Sequence, residues 1–344
     1  MKVAALLSGG KDSCYNMIEC VRHGHQIVCL VNLCPENRKV NELDSYMYQT
    51  IGHNAVQAIA DAMCLPLEQF TISGKCLEMD LTYQPKSGDE VEDLYSALLC
   101  VKKKYPEIEA VSSGAILSNY QRERVENVCN RLNLVSLAYL WEREQKELLN
   151  DMIQSGLVAR VIKTATMGLD RRHIGKTLNE LQPYLLKIAT LYGCNPCGEG
   201  GEYETFTVDC PLFQYRIELL EFVELMSCSD DVEIVTHSES MDAPVLLLVP
   251  KAWHLEKKEK EKENENEGET CLEGIDDTDI LKSIELPRSI NPPFDEIHNN
   301  NNDNWLNLES DEKDTDNVVV ICPSQEKANE LLELWKMKQS NPLL

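Results

Sequence analysis

The stretch VAALLSGGKDS, residues 3–13, decides how the rest of the chain is read. Val3-Ala4-Ala5-Leu6-Leu7 is short, apolar on both faces and bounded by a turn signal, the pattern of a buried parallel strand. Gly9 and Gly10 follow, as glycines do where a backbone must approach a partner closely. A phosphate, held by amide N–H groups and the start of the next helix, is the usual partner of that kind. The plainer alternative is a tight strand-to-helix turn capped by Asp12 or Ser13. That accounts for one glycine and a cap. It leaves unexplained a serine, two glycines and a lysine crowded at the C-terminal edge of a first strand, where open parallel sheets bind ligands. The stretch is also not a G-x-x-x-x-G-K-[ST] loop, because its glycines are adjacent and Asp12, not a hydroxyl, follows Lys11.

Outward from this loop, apolar strands alternate with helical patterns. Strands are expected at 3–7, 27–33, 67–72, 108–112 and 135–139, and helices at 13–23, 47–63, 90–104, 119–132 and 142–154. This rhythm predicts an α/β fold over residues 1–155, an open, mostly parallel five-stranded sheet with helices on both faces, Rossmann-like. From 156 the rhythm changes to a strand at 157–162, a helix at 174–192, a glycine-rich loop at 198–201 and a long strand at 212–225. A smaller α+β second lobe is expected there, over 156–245. Residues 246–344 include EKKEKEKENENEGET (256–270) and HNNNNDNW (298–305), too polar to offset chain entropy, so a mostly disordered acidic tail is expected. Within it, 318–337 reads as a strand plus helix too short to stand alone.

Charge is unevenly spread over the 344 residues. Residues 1–226 hold 22 Lys+Arg and 30 Asp+Glu, net −8, and residues 227–344 hold 11 and 28, net −17. A binder of nucleic-acid backbones shows clustered Lys and Arg, so no direct nucleic-acid binding is expected. No run of roughly 18 apolar residues exists, so no membrane span is expected. Met1-Lys2 leads straight into the first strand, without the apolar core of a secretory leader. The 14 cysteines are then expected to be small buried residues in a reducing, cytoplasmic setting. The close pair Cys194 and Cys197 reads as loop cysteines; a redox pair or half a zinc site is the other reading, with no second pair at metal spacing.

Two further clusters carry chemistry. In SSGAILSNYQRER (112–124), Ser118 and Gln121 are spaced as a capping box, so a helix is expected to start near Asn119. Val125, Val128, Cys129 and Leu132 form its buried stripe, with Gln121 on the stripe and Arg122 and Arg124 flanking it. Cations at a helix N-terminus oppose the macrodipole, a conflict that a nearby anion would relieve. Arg124 reads equally well as a solvated arginine. In CGEGGEYETF (197–206), Glu199, Glu202 and Glu204 lie among Gly198, Gly200 and Gly201. This is either a mobile solvated loop or a site whose glutamates bind metal, take a proton from ammonium or attract a cationic group. Tyr203 could add a cation–π contact.

SGGKDS resembles the pyrophosphate loop of the ATP-pyrophosphatase (PP-loop, adenine nucleotide α-hydrolase-like) superfamily, and the three clusters together make residues 1–245 resemble the diphthine–ammonia ligases. The resemblance implies that Ser8, Gly9, Gly10, Lys11, Asp12, Ser13, Ser112, Gly114 and Ala115 bind ATP and that Asp12 holds Mg²⁺. It implies catalytic roles for Lys11, Asp12, Gln121, Arg122, Glu199 and Glu202. It assigns Arg124, Gly200, Gly201, Glu202, Tyr203, Glu204 and Thr205 to the substrate, diphthine on translation elongation factor 2. The implied reaction adenylates the diphthine carboxylate, lets free ammonium displace AMP, and leaves diphthamide, AMP and pyrophosphate. The trimethylammonium group of diphthine would give the acidic, aromatic 199–204 loop a purpose. In many eukaryotic relatives RidA-like domains follow, and 241–256 looks like the lead-in to them. Two other readings share the loop. A PP-loop tRNA-modifying thiolase would need reactive cysteines, which Cys194 and Cys197 support, and a basic surface, which the net charge of −8 opposes. A non-catalytic ATP-binding sensor would bind ATP and never release pyrophosphate.

Overall fold

The computed structural model describes residues 1–37, 45, 47–49, 51–80, 82–166, 168–227 and 245–258. β1 (Lys2–Leu6), β2 (Gln26–Pro35), β3 (Leu67–Ile72), β4 (Ala110–Ser112) and β5 (Val135–Leu137) form one parallel sheet in the order β3-β2-β1-β4-β5. The connecting helices are α1 (Lys11–Arg22), α2 (Val56–Met63), α3 (Glu90–Lys104) and α4 (Asn119–Arg131). The chain builds outward from β1 to β3, then returns through α3 to place β4 on the other side of β1. That reversal is a topological switch point, with the loops leaving β1 and β4 side by side at the C-terminal edge.

Side-chain alternation along the strands makes two cores. Val3, Ala5 and Leu7 face Tyr15, Ile18 and Ile59 of α1 and α2, and Ala4, Val31 and Val111 face Leu94, Leu98, Val125 and Val128 of α3 and α4. The first core continues into a second, antiparallel sheet. It is built from β6 (Val158–Thr164), β7 (Tyr203–Asp209), β8 (Tyr215–Ser227) and β9 (Val245–Lys257) in the order β7-β6-β9-β8, with α5 (Gln145–Gln154) and α6 (Leu178–Tyr192) alongside. Ile162, Phe206 and Leu248 share that core with the parallel sheet.

The α/β class is as expected, and four local expectations are corrected. The helix predicted over 47–63 starts only at Val56, after a 3₁₀ turn at His53–Ala55. Gly52 sits at φ 81°, and the Ser45 hydroxyl accepts from Met47 N and Tyr48 N, so the chain turns where periodicity suggested a helix. The helix predicted from 174 starts at Leu178, where Thr177 and Glu180 close a full capping box. β7 begins at Tyr203, inside the 199–204 stretch read as loop, and runs to Asp209. β9 carries ordered sheet to Lys257, past the start expected for the acidic tail, with Leu246–Val249 buried. The rest of that tail, including 318–337, lies outside the described residues. Among the described residues no helix is long and apolar enough to cross a membrane.

Candidate active site

The loop at 8–13 leaves β1 at the switch point. Gly9 has φ 94°, a left-handed conformation that strains any side chain, and its carbonyl accepts from Thr207 N at 2.8 Å. α1 begins at Lys11, with Gly10 at the N-cap and no side chain of its own to cap it. The cap comes from β7, where Thr205 Oγ1 accepts from Lys11 N at 3.0 Å. Ser8 Oγ accepts from Gly10 N at 3.2 Å and lies 3.3 Å from Ser13 Oγ, which donates to Gly10 O at 2.9 Å. Ser13 is thus inside the first turn rather than its cap. A helix N-terminus edged by two hydroxyls suits an anion.

Lys11 is buried, its Nζ 2.8 Å from Asp12 Oδ2 and 5.2 Å from the centre of the Tyr203 ring. Burial alone would pull the ammonium down, but Asp12, then Tyr203 and Cys197, more than offset it and hold Lys11 above its ordinary range. Burial raises the Asp12 carboxyl, and Lys11 offsets only part of that. Asp12 Oδ1 is buried without a hydrogen-bond partner. Among the described residues no cluster of three or more His, Cys, Asp or Glu could hold a metal. A hard cation here would take Asp12 Oδ1 plus oxygens from outside the protein, which fits Mg²⁺ on phosphates.

Tyr203 is enclosed in the fold. It is 1% exposed, its hydroxyl donates to Pro196 O at 2.6 Å, and the cation beside its ring is Lys11 of the same chain. Burial pushes its phenol well up, so it stays neutral.

The loop after β4 packs bare backbone against α1. A methyl group on Gly114 would lie 2.7 Å from Asp12 C and Ser13 N. Ala115 is buried beside it. Ser112 is also buried, and its hydroxyl accepts from Asn16 Nδ2 at 2.7 Å, so it is engaged within the fold. Ser118 caps α4 by accepting from Gln121 N, the first half of the expected box, and Gln121 Nε2 donates to Met47 O at 3.5 Å. Arg122 is partly exposed, paired to Glu126 at 2.7 Å, with its guanidinium 4.5 Å from the Trp141 ring centre.

Arg124 is not a solvated arginine. It is fully buried, donates from Nη2 to Glu78 O at 2.6 Å and Asp80 O at 3.2 Å, and lies 3.3 Å from the Tyr120 ring centre. It clamps the 78–80 loop onto α4.

The third cluster divides its glutamates by role. Glu202 accepts from Asn195 N and Gly200 N, both at 2.7 Å, so both its oxygens staple their own loop. Gly198 and Gly201 adopt φ 77° and 81°, and Gly200 lies against the Glu202 carboxylate, so these glycines shape the turn. Glu199 Oε2 accepts from Leu117 N at 2.9 Å, joining this loop to the one after β4, and its other oxygen makes no hydrogen bond among the described residues. Burial, then the charge of Asp12, raises the Glu199 carboxyl. Glu204 lies on β7, paired in register with Lys163. Cys197 is buried, its thiol pushed up to about 12 by burial and donating to Gln145 O at 3.1 Å. A protonated, enclosed thiol is a poor nucleophile, which weighs against the thiolase reading.

The fold therefore gathers Ser8 to Ser13, Gly114, Glu199, Tyr203 and Thr205 at one edge, and engages the side chains of Ser112, Arg124 and Glu202 in hydrogen bonds within the chain. Gln49, which touches the phosphate loop, is missing from the sequence-derived set. Its signal was Gly52 nearby, a helix breaker inside an apparent helix.

Residues 1–136 match the diphthamide synthase N-terminal domain and residues 144–234 the diphthamide synthase C-terminal domain. The diphthine–ammonia ligase of Rattus norvegicus is 56% identical over 261 residues, covering 75% of this chain and 94% of that protein. That of Homo sapiens is 54% identical over the same length and shares. That of Saccharomyces cerevisiae is 43% identical over 246 residues, covering 67% of this chain and 36% of the yeast protein. Among solved structures, a predicted tRNA methyltransferase subunit from Methanocaldococcus jannaschii overlaps with a TM-score of 0.28 at 15% identity, covering 61% of this chain and 97% of that one, too loosely to bear on the fold. With both family domains matched in order, and close relatives aligned over almost their whole length, the chain belongs to the diphthamide synthase family, the diphthine–ammonia ligases.

Proposed function

We propose that this chain amidates diphthine on translation elongation factor 2, using ATP and free ammonium and releasing AMP and pyrophosphate. The observation that carries this reading is the meeting of the 8–13 loop and Glu199 at one sheet edge, which puts an anion cradle beside a carboxylate with an uncommitted oxygen.

ATP is a substrate in this scheme. The diphthine carboxylate attacks the α-phosphorus, and the bond to the β-phosphate breaks. Lys11, the Ser8 and Ser13 hydroxyls and the α1 N-terminus stabilise the charge that collects on the departing pyrophosphate. Asp12 Oδ1 would hold Mg²⁺, which when bound neutralises phosphate charge. Ammonium gives a proton to Glu199 Oε1, the resulting ammonia attacks the acyl carbon of the mixed anhydride, and as the acyl–oxygen bond breaks the nitrogen's surplus proton leaves with the AMP phosphate. A carboxyl raised by burial is a better-matched base near neutral pH than an exposed one. Negative charge at Glu199 also complements the trimethylammonium group of diphthine. All the described cysteines are free thiols, in keeping with a reducing, cytoplasmic setting.

The test is one incubation of the protein with ATP, Mg²⁺, ammonium and diphthine-bearing factor. The expected result is AMP formed in step with the mass change of a carboxyl becoming an amide. ATP binding without pyrophosphate release under those conditions would leave a nucleotide sensor instead.

A further inference from the structure

Gln49 belongs to none of the three motifs, yet its carboxamide lies on the phosphate loop. Its Oε1 is 3.4 Å from the Ser8 hydroxyl, the group that accepts from Gly10 N. A methyl group on Gly10 would come within 2.5 Å of that same Oε1. Its Nε2 donates to Thr205 O at 3.1 Å, and Thr205 Oγ1 accepts from Lys11 N. One side chain therefore touches both halves of the cradle, the loop that opens it and the strand that caps α1.

Its place is fixed from two other helices. Ser45 Oγ donates to Glu90 Oε2 at 2.7 Å and accepts from Met47 N and Tyr48 N. The Tyr48 hydroxyl donates to Glu90 O at 3.0 Å, and Gln121 Nε2 reaches Met47 O. The first turns of α3 and α4 thus hold Tyr48 and Gln49 across the C-terminal edge of the sheet. Gln121, expected to be catalytic, acts here through the segment that carries Gln49.

We propose that Gln49 is a positioning residue for the nucleotide. Its carboxamide sets the spacing between the phosphate loop and β7, so that Gly10 and the Lys11 amide keep the shape that receives the pyrophosphate portion of ATP. The glycine at position 10 is then explained from inside the chain, because it makes room for this carboxamide. The inference rests on the ATP reading above.

Two variants test it. Gln49→Ala removes the wedge, and Gln49→Met keeps its bulk without its polar ends. Calorimetric titration with Mg·ATP and with inorganic pyrophosphate should show Kd rising roughly tenfold in both, the size expected for two lost hydrogen bonds. The KM for ammonium should stay unchanged, which a general loss of structure would not allow. Wild-type affinity in both variants, or in Gln49→Met alone, overturns the polar tie, and so does a parallel rise in the KM for ammonium. Should Gln49→Ala fail to fold, Gln49→Met alone decides. Wild-type protein that binds neither ATP nor pyrophosphate overturns the nucleotide reading together with this one, whereas wild-type binding with unaltered variants overturns this one alone.

Discussion

The Lys11 ammonium sits 5.2 Å from the centre of the Tyr203 ring, so the phosphate loop and the acidic loop share one buried contact. The ring holds a cation, but it is the protein's own. Tyr203→Phe keeps the ring and loses only the bond to Pro196 O, at a cost of about 1 kcal/mol in stability. Tyr203→Leu removes the ring from Lys11 and opens a cavity. It should cost about 3 kcal/mol and raise the KM for ATP several-fold. Kinetics with ATP and elongation factor varied separately check this, with the KM for the factor unchanged in both variants.

Glu199 and Glu202 should separate by rate and by stability. Because burial and Asp12 raise the folded Glu199 carboxyl, its ionisation costs more in the folded chain than in the unfolded one. The folded state is therefore relatively favoured below the ordinary carboxylate range and loses that advantage as pH rises through the raised value. Glu199→Gln should melt higher than wild type at about pH 8, with the gap closing toward about pH 4. Its amidation rate should fall on the order of a hundredfold, the scale of a lost general base. Glu202→Gln leaves one backbone amide without its acceptor and should lose about 1–2 kcal/mol of stability. Thermal melts across pH, paired with rates, distinguish the two.

Arg124→Met should act on stability rather than on substrate. The change strips the donors from Glu78 O and Asp80 O and the cation from Tyr120, for a loss of about 3 kcal/mol in urea denaturation. In the folded fraction the KM for the elongation factor should match wild type. A raised KM with wild-type stability would return Arg124 to the substrate.

What the sequence makes legible follows from where the contacts lie. The parallel sheet and its edge loop rest on local periodicity, so β3 and α3 form over the residues their patterns mark, 67–72 and 90–104. The roles of Thr205 and Gln49 depend on partners far along the chain, Lys11 being 194 residues from Thr205. A threonine capping a helix it does not belong to leaves no local pattern. β7 is hidden because its alternation begins among glutamates and glycines that read as loop. β9 is hidden because it runs into a charged low-complexity stretch. Arg124 is misplaced because helical spacing sets its direction but not the loop that arrives to cover it.

Gly114 offers the sharpest test of how the site is assembled. A side chain there meets backbone, at 2.7 Å from Asp12 C and Ser13 N, and neither can rotate away as a side chain would. Gly114→Ala must therefore push the first turn of α1 and the loop after β4 apart. That displaces Lys11 and Asp12 together and also moves Leu117, whose amide holds Glu199. Overpacking of this kind costs about 1–3 kcal/mol in stability. Misplacing catalytic groups by a fraction of an ångström costs more in rate, so kcat/KM for ATP should fall roughly a hundredfold. Ser112→Ala, two residues away, removes the acceptor for Asn16 and should lose about 1 kcal/mol of stability with the KM for ATP unchanged. Equal kinetic losses in the two variants would mean that the Ser112 hydroxyl contacts nucleotide after all, and that the close approach at Gly114 is incidental to the site.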